Sequence, residues 1–296
     1  MLEVVLALVA AALFALGTVL QQAEASKASD DEALSLRFLL SLARRPRWLV
    51  GIGADAGGFV AQAAALGVGR LVVVQPLLAT MVLFALPLGR RLTGQRVTRR
   101  QVYAAIAVAG GLGAFLVLAD PEGGRDDAST GAWLAAFAIA AAICVPLLLA
   151  GRRARPDLKA SLLGIAAGIL FGLSAGLTKA VVEDLDEGVV SVLTDWHAYA
   201  LAVVGYASMS LSQASLQAGR LAPAVATQSV LDPITSVLLG VIAFQEGLHD
   251  TTAQLAGSLA GLAVMIGGLV VLAGAGQSSA TTSRSPEASA ANRSAV

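Results

Sequence analysis

Charged residues are scarce in this sequence, at 14% of 296 residues, and aromatic residues make up only 5%. Soluble domains carry about 25% charged residues. With 56% hydrophobic residues and a mean hydropathy of +0.76, the chain has more apolar surface than a soluble core of this length can hide. The composition therefore excludes an ordinary soluble domain and predicts a membrane protein.

Cysteine and histidine are nearly absent as well. The single Cys144 cannot form an internal disulfide, and the two histidines, His197 and His249, exclude a zinc site of the His/Cys type. An intramembrane enzyme would need a nucleophile with a base, or a metal cluster, and the sequence offers neither. We therefore expect no enzyme activity and no cofactor.

Long apolar stretches dominate what remains. A helix crosses the hydrocarbon core of a bilayer with about 20 mostly apolar residues. Nine stretches fit, near residues 4–20, 48–66, 71–88, 102–119, 132–150, 161–182, 197–216, 221–244 and 253–274. A cleaved signal peptide is the alternative for the first stretch, but "MLE" has no basic n-region, which favours a retained helix.

The basic residues predict the orientation of these helices. Seventeen of the 20 Lys and Arg residues fall in alternate loops and in the tail, while Arg70 and Arg125 fall on the other side. The positive-inside rule places the basic loops in the cytoplasm. The predicted location is the cell membrane, with the N-terminus outside and the C-terminus cytoplasmic.

Two peripheral segments differ from the apolar helices. Residues 30–47 contain leucines among basic residues and predict an interfacial helix on the cytoplasmic face, with a plain solvated linker as the alternative. Residues 276–296 lack bulky apolar groups and are predicted to be a disordered cytoplasmic tail.

An internal repeat organises the chain. "AQAAALGVGRL" from residue 61 resembles "SQASLQAGRL" from residue 212, and "LFALGTVLQQ" from residue 13 resembles "LFGLSAGLTK" from residue 170. The predicted fold class is all-α: about nine transmembrane helices in two four-helix repeats joined by one linking helix. The odd linker inverts the second copy, as in many secondary transporters. The predicted units are a first repeat at 1–120, the linking helix with its loops at 121–158, and a second repeat at 159–275.

The repeat, "VQPLLATMVLFALPLG" in the third helix and "LDPITSVLLGVIAFQEGL" in the eighth resemble the drug/metabolite transporter superfamily. Both its EamA-like members and its NIPA-type magnesium transporters are similar to roughly residues 4–274. The resemblance implies a transporter of a small solute, either a metabolite or drug exporter or a Mg²⁺ transporter.

The stretch "SVLDPITS" carries the strongest candidate site. Pro233 has no N–H to donate, so the helix is expected to kink or break there. Asp232 lies at mid-membrane, where a carboxylate costs about 2.5–3.5 kcal/mol on insertion scales, so we expect it to face a polar interior. Gln228 and Thr235 share its face. The alternative is a structural Asp232 that caps a broken helix or pairs with Lys179.

Other polar side chains at helical spacing extend this pathway. They are Tyr206, Ser210 and Gln213 in the seventh stretch, Asp55 and Gln62 in the second, and Lys179 in the sixth. Interhelical hydrogen bonds are the alternative role for each Ser or Gln. Asp232 and Asp55 would be the metal ligands only if Mg²⁺ is the substrate.

Small residues recur every four positions in the sixth stretch, at Gly164, Gly168, Gly172 and Gly176. This spacing predicts a smooth groove for a close helix crossing. The expected partners of the whole chain are the lipid bilayer and a small-molecule or cation substrate, without nucleic acid, and a homodimer stays open. A non-transporting membrane scaffold or regulatory subunit is the alternative function.

Overall fold

The computed structural model describes residues 1–25, 44–94, 97–218, 221–248 and 251–283, and within these ranges the chain is helical without a β-strand. Eleven helices follow one another within the described ranges. They are α1 (Leu2–Ala25), α2 (Pro46–Val68), α3 (Leu71–Leu78), α4 (Met81–Thr93), α5 (Arg99–Ala119), α6 (Thr130–Gly151), α7 (Pro156–Glu187), α8 (Val189–Thr194), α9 (His197–Ala218), α10 (Leu221–Ile242) and α11 (Thr252–Ser283).

Eight candidate membrane spans lie in the described part of the chain. They run over Leu2–Glu24, Pro46–Val68, Leu71–Leu92, Arg99–Ala119, Thr130–Gly151, Pro156–Glu187, Ala224–Ile242 and Thr252–Leu272. The stretch predicted at 197–216 forms α9, but it is not among these eight spans, because serine and glutamine lower its hydropathy. The chain is a multi-pass helical membrane protein.

Two prolines inside helices behave differently from each other. The span Leu71–Leu92 is interrupted shortly after Pro76, where α3 ends. At this interruption the Thr80 hydroxyl donates a hydrogen bond to the Leu77 carbonyl at 2.6 Å. In contrast, α10 continues through Pro233 from Leu221 to Ile242. Of the two outcomes predicted at Pro233, a kink or a break, the break does not occur. The reason is that the loss of one backbone hydrogen bond does not end a helix whose other turns are intact.

The helices pack in two similar groups. In the first, α1 lies against α2, α3 and α4; in the second, α7 lies against α9 and α10. Between the groups α3 packs on α10, and α5 packs along α11. The buried core therefore runs through α3, α7 and α10 in the middle of the molecule.

Glycines bring α7 and α10 into backbone contact. A Cβ placed on Gly168 would lie 2.8 Å from the Gln228 carbonyl oxygen, and one on Gly172 would lie 2.6 Å from Cβ of Thr235. Gly164 meets Ala224 and Thr227 in the same way, and Gly176 meets Leu239. The glycine spacing thus produces the close crossing that it predicts, with α10 seated on the glycine face of α7.

Substitution at this crossing has a predictable cost. Gly172→Ala is expected to lower the free energy of unfolding by about 1–3 kcal/mol, because the added methyl group overlaps Thr235 and the Asp232 carbonyl. Gly113→Ala on α5 is the matched control, since nothing lies within 4 Å of the place that its added methyl group would occupy. It should be neutral or stabilising by up to about 1 kcal/mol. Thermal unfolding in detergent measures both; equal melting temperatures would contradict the packing account.

The peripheral segments are only partly described. Of residues 30–47, those before 44 lie outside the described residues, and α2 begins at Pro46. At the other end α11 continues to Ser283, so residues 276–283 of the segment predicted to be disordered are helical. Residues 284–296 lie outside the described residues.

Candidate functional site

A buried ion pair joins the ends of three helices. Nζ of Lys179 on α7 lies 2.9 Å from a carboxylate oxygen of Glu246, just beyond α10. The same carboxylate accepts the backbone N–H groups of Leu71 and Val72, both at 2.8 Å. Glu246 therefore caps the N-terminus of α3, where free N–H groups and the helix dipole favour a negative charge. We call Lys179 and Glu246 the ion-pair cluster.

The turn after α10 positions Glu246. Gln245 adopts a left-handed conformation with φ of 53°, and the Glu246 N–H donates to the Gly240 carbonyl at 3.0 Å. Two reciprocal backbone hydrogen bonds then join Gly247 to Glu122 in the loop between α5 and α6. The Phe244 ring lies 5.1 Å from Nζ of Lys179, which adds a cation–π contact. The fold thus closes around Glu246, which is only 1% exposed.

A charged cleft of about 240 Å³ opens above the ion-pair cluster. Its side chains carry both signs of charge, and the backbone N–H of Arg70 donates to the Glu3 carboxylate at 3.0 Å. The ionisable residues that line it are Glu3, Arg70, Arg125, Asp126, Lys179 and Glu183. The cleft is therefore polar, and the buried residue Lys179 forms part of its lining.

Asp232 lies at the midpoint of α10, on the side that faces α7. Its backbone N lies 3.2 Å from the position of a Cβ on Gly168, so the turn that carries Asp232 touches the glycine face. Its Oδ1 is buried and has no hydrogen-bond partner within the described ranges. The hydroxyl of Ser236, one turn later, is buried beside this carboxylate, but its geometry does not meet that of a hydrogen bond. A buried polar atom without a hydrogen bond lowers the stability of an apolar interior, so its presence indicates a site that binds a ligand or a proton.

Gln75 is a candidate that the sequence reasoning missed. It is 5% exposed, and its Nε2 is buried without a hydrogen-bond partner among the described residues. The available signal was the dipeptide Gln75-Pro76 in the third stretch, where a polar residue precedes a proline as Asp232 precedes Pro233 in the eighth. Both prolines lie inside helices.

Gln75 lies at a depth similar to that of Ser236. Val72 on α3 meets Gly240 on α10, with a Cβ on Gly240 only 3.2 Å from the Val72 backbone N. At 1.5 Å per residue, Gln75 lies about 4.5 Å along α3 from this contact, and Ser236 lies about 6 Å along α10. Because α3 starts where α10 ends and the two pack together, both side chains lie towards the middle of the bundle.

The other predicted residues of α10 contact neighbouring helices. Gln228 accepts a hydrogen bond at 2.8 Å from the hydroxyl of Ser212 on α9. Thr235 packs on Gly172 of α7. Both residues are half-buried on the face that the sequence predicts. They flank Asp232 and tie its surroundings to α7 and α9.

Asp55 lies in a different place from Asp232. Its carboxylate accepts a hydrogen bond from Nε2 of Gln21 and lies over Gly17, both on α1. Gln62 is half-buried two turns further along α2. The described contacts of Asp55 involve α1, whereas those of Asp232 involve α7, and none of them joins the two predicted metal ligands.

The polar stripe predicted on the seventh stretch faces away from this interior. Tyr206 is 78% exposed, and Ser210 and Gln213 are also exposed. The buried polar side chains of α9 are Ser208, Ser212 and Ser215. The prediction that Tyr206, Ser210 and Gln213 line the interior is therefore wrong, because the opposite polar stripe of α9 is the buried one. The physical reason is that α9 carries two polar stripes, and the smaller serines fit against α7.

The partner of Lys179 also differs from the expected one. The sequence allows pairing with Asp232, but the structure pairs Lys179 with Glu246. Lys179 is 7% exposed and lies inside the protein at the end of the bundle. The Asp232 carboxylate is thus left without a basic partner among the described residues.

Comparison with known proteins gives one similarity to report. An uncharacterized protein of Corynebacterium glutamicum is 29% identical over 247 residues, which cover 83% of this chain and 86% of that protein. No family model matches the chain. No solved structure matches it.

Proposed function

We propose that the protein is a transporter of the cell membrane, similar to EamA-like members of the drug/metabolite transporter superfamily, that moves a small solute by alternating access. The observation that carries this proposal is the Asp232 carboxylate, which lies at mid-helix with a buried oxygen that has no hydrogen-bond partner in the described ranges. An unpaired carboxylate at this depth destabilises a protein that serves only as a scaffold, whereas a site for a solute or a proton requires such a group.

The packing of the helices supports the inverted-repeat architecture within this proposal. The contacts of α1 with α2 and α3 have counterparts in those of α7 with α9 and α10. The contact of α5 with α11 pairs the last spans of the two halves. The contact of α3 with α10 joins the two groups of helices, so the proposed site lies where the halves meet, as in transporters with inverted repeats.

The ion-pair cluster supports a closed state at one end of this pathway. Lys179, Glu246 and the start of α3 are held together by three polar contacts in a buried environment. In the proposed cycle this end, assigned to the outside by the positive-inside rule, opens when α3 separates from α10. The glycine faces supply the smooth surfaces on which helices shift.

The chemistry of the site favours a cationic or amine-bearing organic solute, or a proton exchanged for one. The single carboxylate of Asp232 has the Ser236 hydroxyl as a neutral neighbour, and Lys179 pairs with Glu246 instead of with Asp232. A Mg²⁺ site needs several oxygen ligands around a hydrated ion. Asp55, the second carboxylate that Mg²⁺ would use, is bound to Gln21 on α1.

Flux into liposomes tests this function. Purified protein should accelerate uptake or exchange of amine-bearing solutes above the rate of empty liposomes, with a dependence on the proton gradient if Asp232 carries the coupling proton. Mg²⁺ and neutral sugars serve as comparison solutes in the same vesicles. Flux equal to that of empty liposomes for every solute would favour the scaffold alternative.

Cysteine accessibility tests the proposed orientation. In a Cys144→Ala background, Arg153→Cys before α7 and Asp186→Cys near its end occupy exposed positions about 50 Å apart along a helix. An impermeant thiol reagent added to intact cells should label residue 186 and leave residue 153 unlabelled until the cells are opened. The reverse pattern would invert the assignment, and labelling of both from outside would contradict a spanning α7.

A further inference from the structure

The side chains around His197 have no role in the proposed pathway. Asp184 near the end of α7, Asp195 after α8 and His197 at the start of α9 place three potential ligand atoms within 4.8 Å of one another. His197 is 4% exposed and Asp184 is 8% exposed. We propose that Asp184, Asp195 and His197 bind a divalent transition-metal cation of the zinc class. This inference is independent of the proposed transport function.

The spacing of the three groups suits a metal ion. Nδ1 of His197 lies 3.0 Å from Oδ2 of Asp184 and 3.3 Å from Oδ1 of Asp195. Zinc binds nitrogen and carboxylate oxygen tetrahedrally at about 2.0–2.2 Å, so neighbouring ligand atoms are separated by about 3.3–3.6 Å. The Asp195 oxygen lies at such a separation from Nδ1, the Asp184 oxygen lies slightly closer, and all three ligand atoms lie within 4.8 Å of one another. A single N–H on Nδ1 cannot donate a good hydrogen bond to both carboxylates at once, whereas a cation between the three atoms can be coordinated by all of them.

The other nitrogen of His197 supplies the independent observation. Nε2 is buried and has no hydrogen-bond partner within the described ranges, and Oδ2 of Asp127 lies 3.6 Å from it. If Nδ1 binds a metal, Nε2 must carry the ring proton, which then points towards Asp127. This is the carboxylate–histidine–metal arrangement that orients many metal-binding histidines.

Asp127 is itself held in place. Its Oδ1 accepts the indole N–H of Trp133 at 3.0 Å and the backbone N–H of Ala128 at 2.7 Å. Its second oxygen is therefore directed towards His197 by groups outside the metal site. The site links the loop before α6 with α7 and with the start of α9.

The surrounding charge favours a cation. Nδ1 of His197 lies beside the carboxylates of Asp184 and Asp195, and Nε2 faces the carboxylate of Asp127. Carboxylates crowded in this way are stabilised by a bound divalent ion. The mixture of imidazole and carboxylate ligands favours Zn²⁺, Co²⁺ or Mn²⁺ over Mg²⁺ and Ca²⁺, which prefer oxygen ligands alone.

Titration of the full chain tests the proposal. The purified protein in detergent, first stripped with a chelator, is titrated with Zn²⁺ by calorimetry and with Co²⁺ by absorbance and tryptophan emission. The Trp196 ring lies 4.2 Å from the His197 ring, so bound Co²⁺ should quench its emission. We expect one saturable site per chain for Zn²⁺ and Co²⁺, and no saturable binding of Mg²⁺ in the same range.

Variants separate this site from adventitious binding. His197→Gln should abolish the site, and Asp127→Asn should weaken it by about 10–100-fold as loss of an outer partner does. Asp186→Asn, an exposed acid on the same helix end, should leave the affinity within about twofold of the original. If His197→Gln does not fold, Asp195→Asn, whose side chain is 36% exposed, replaces it. Absence of saturable Zn²⁺ binding, or equal affinity in the Asp186 and Asp195 variants, overturns the proposal.

Discussion

Glu246→Ala is expected to lower the free energy of unfolding by about 3–5 kcal/mol, the cost of removing one partner of a buried ion pair. The substitution leaves the Lys179 ammonium buried without its carboxylate, and it also frees the N–H groups of Leu71 and Val72. Thermal or denaturant unfolding in detergent measures this loss. It should be the largest effect of any single substitution at this end of the bundle.

A double variant identifies the cause of the loss. Lys179→Met combined with Glu246→Gln removes both charges but keeps an amide oxygen that can accept from the start of α3, so it should be more stable than Glu246→Ala. Asp186→Asn is the control, because Asp186 is exposed and substitution of a surface residue changes stability by about 0.5 kcal/mol or less. Equal losses for Glu246→Ala and Asp186→Asn would contradict the assignment of a buried ion pair.

Asp232→Asn is expected to reduce solute flux to the level of empty liposomes. Asn keeps the shape of the side chain and removes its charge, so a site that binds a cation or a proton through this carboxylate loses its function while the protein still folds. A purely structural Asp232 would behave differently, since Asn also caps helices well and flux would largely survive. Flux assays with reconstituted protein, at matched protein density, make this comparison.

Two companion variants sharpen the test. Pro233→Ala restores a backbone donor within α10 and leaves the carboxylate in place, so solute affinity should persist while turnover falls. Asp186→Asn removes an exposed charge far from the site along the chain and should keep the original flux. Loss of flux in Asp186→Asn to the same degree as in Asp232→Asn would remove the special role of Asp232.

Regular spacing is what made part of the structure predictable. The four glycines of α7 repeat every four residues, so their common face and its close contact follow from helix geometry alone. Asp232 could be singled out in the same way, because a carboxylate at mid-span has few acceptable environments. The apolar stretches likewise predicted the long helices, since bilayer thickness fixes their length.

Contacts between distant segments were not predictable. The pairing of Lys179 with Glu246 depends on a left-handed residue, Gln245, that turns the chain back after α10. The stripe of Tyr206 and the stripe of Ser208 on α9 are equally regular, and only packing against α7 decides which one is buried. His197 was set aside because the histidines are few, although the acidic residues that complete its cluster come from two other segments.

Access to the middle of α10 from both sides of the membrane tests the central claim most directly. Ser236→Cys in a Cys144→Ala background places a thiol of similar size beside Asp232, at a position that is 0% exposed in this structure. In sealed vesicles of known orientation, the alternating-access account predicts that impermeant reagents label this thiol from either side, and that Glu246→Gln increases labelling from the outside. A thiol that no reagent reaches from either side, in protein that remains folded, would contradict the account.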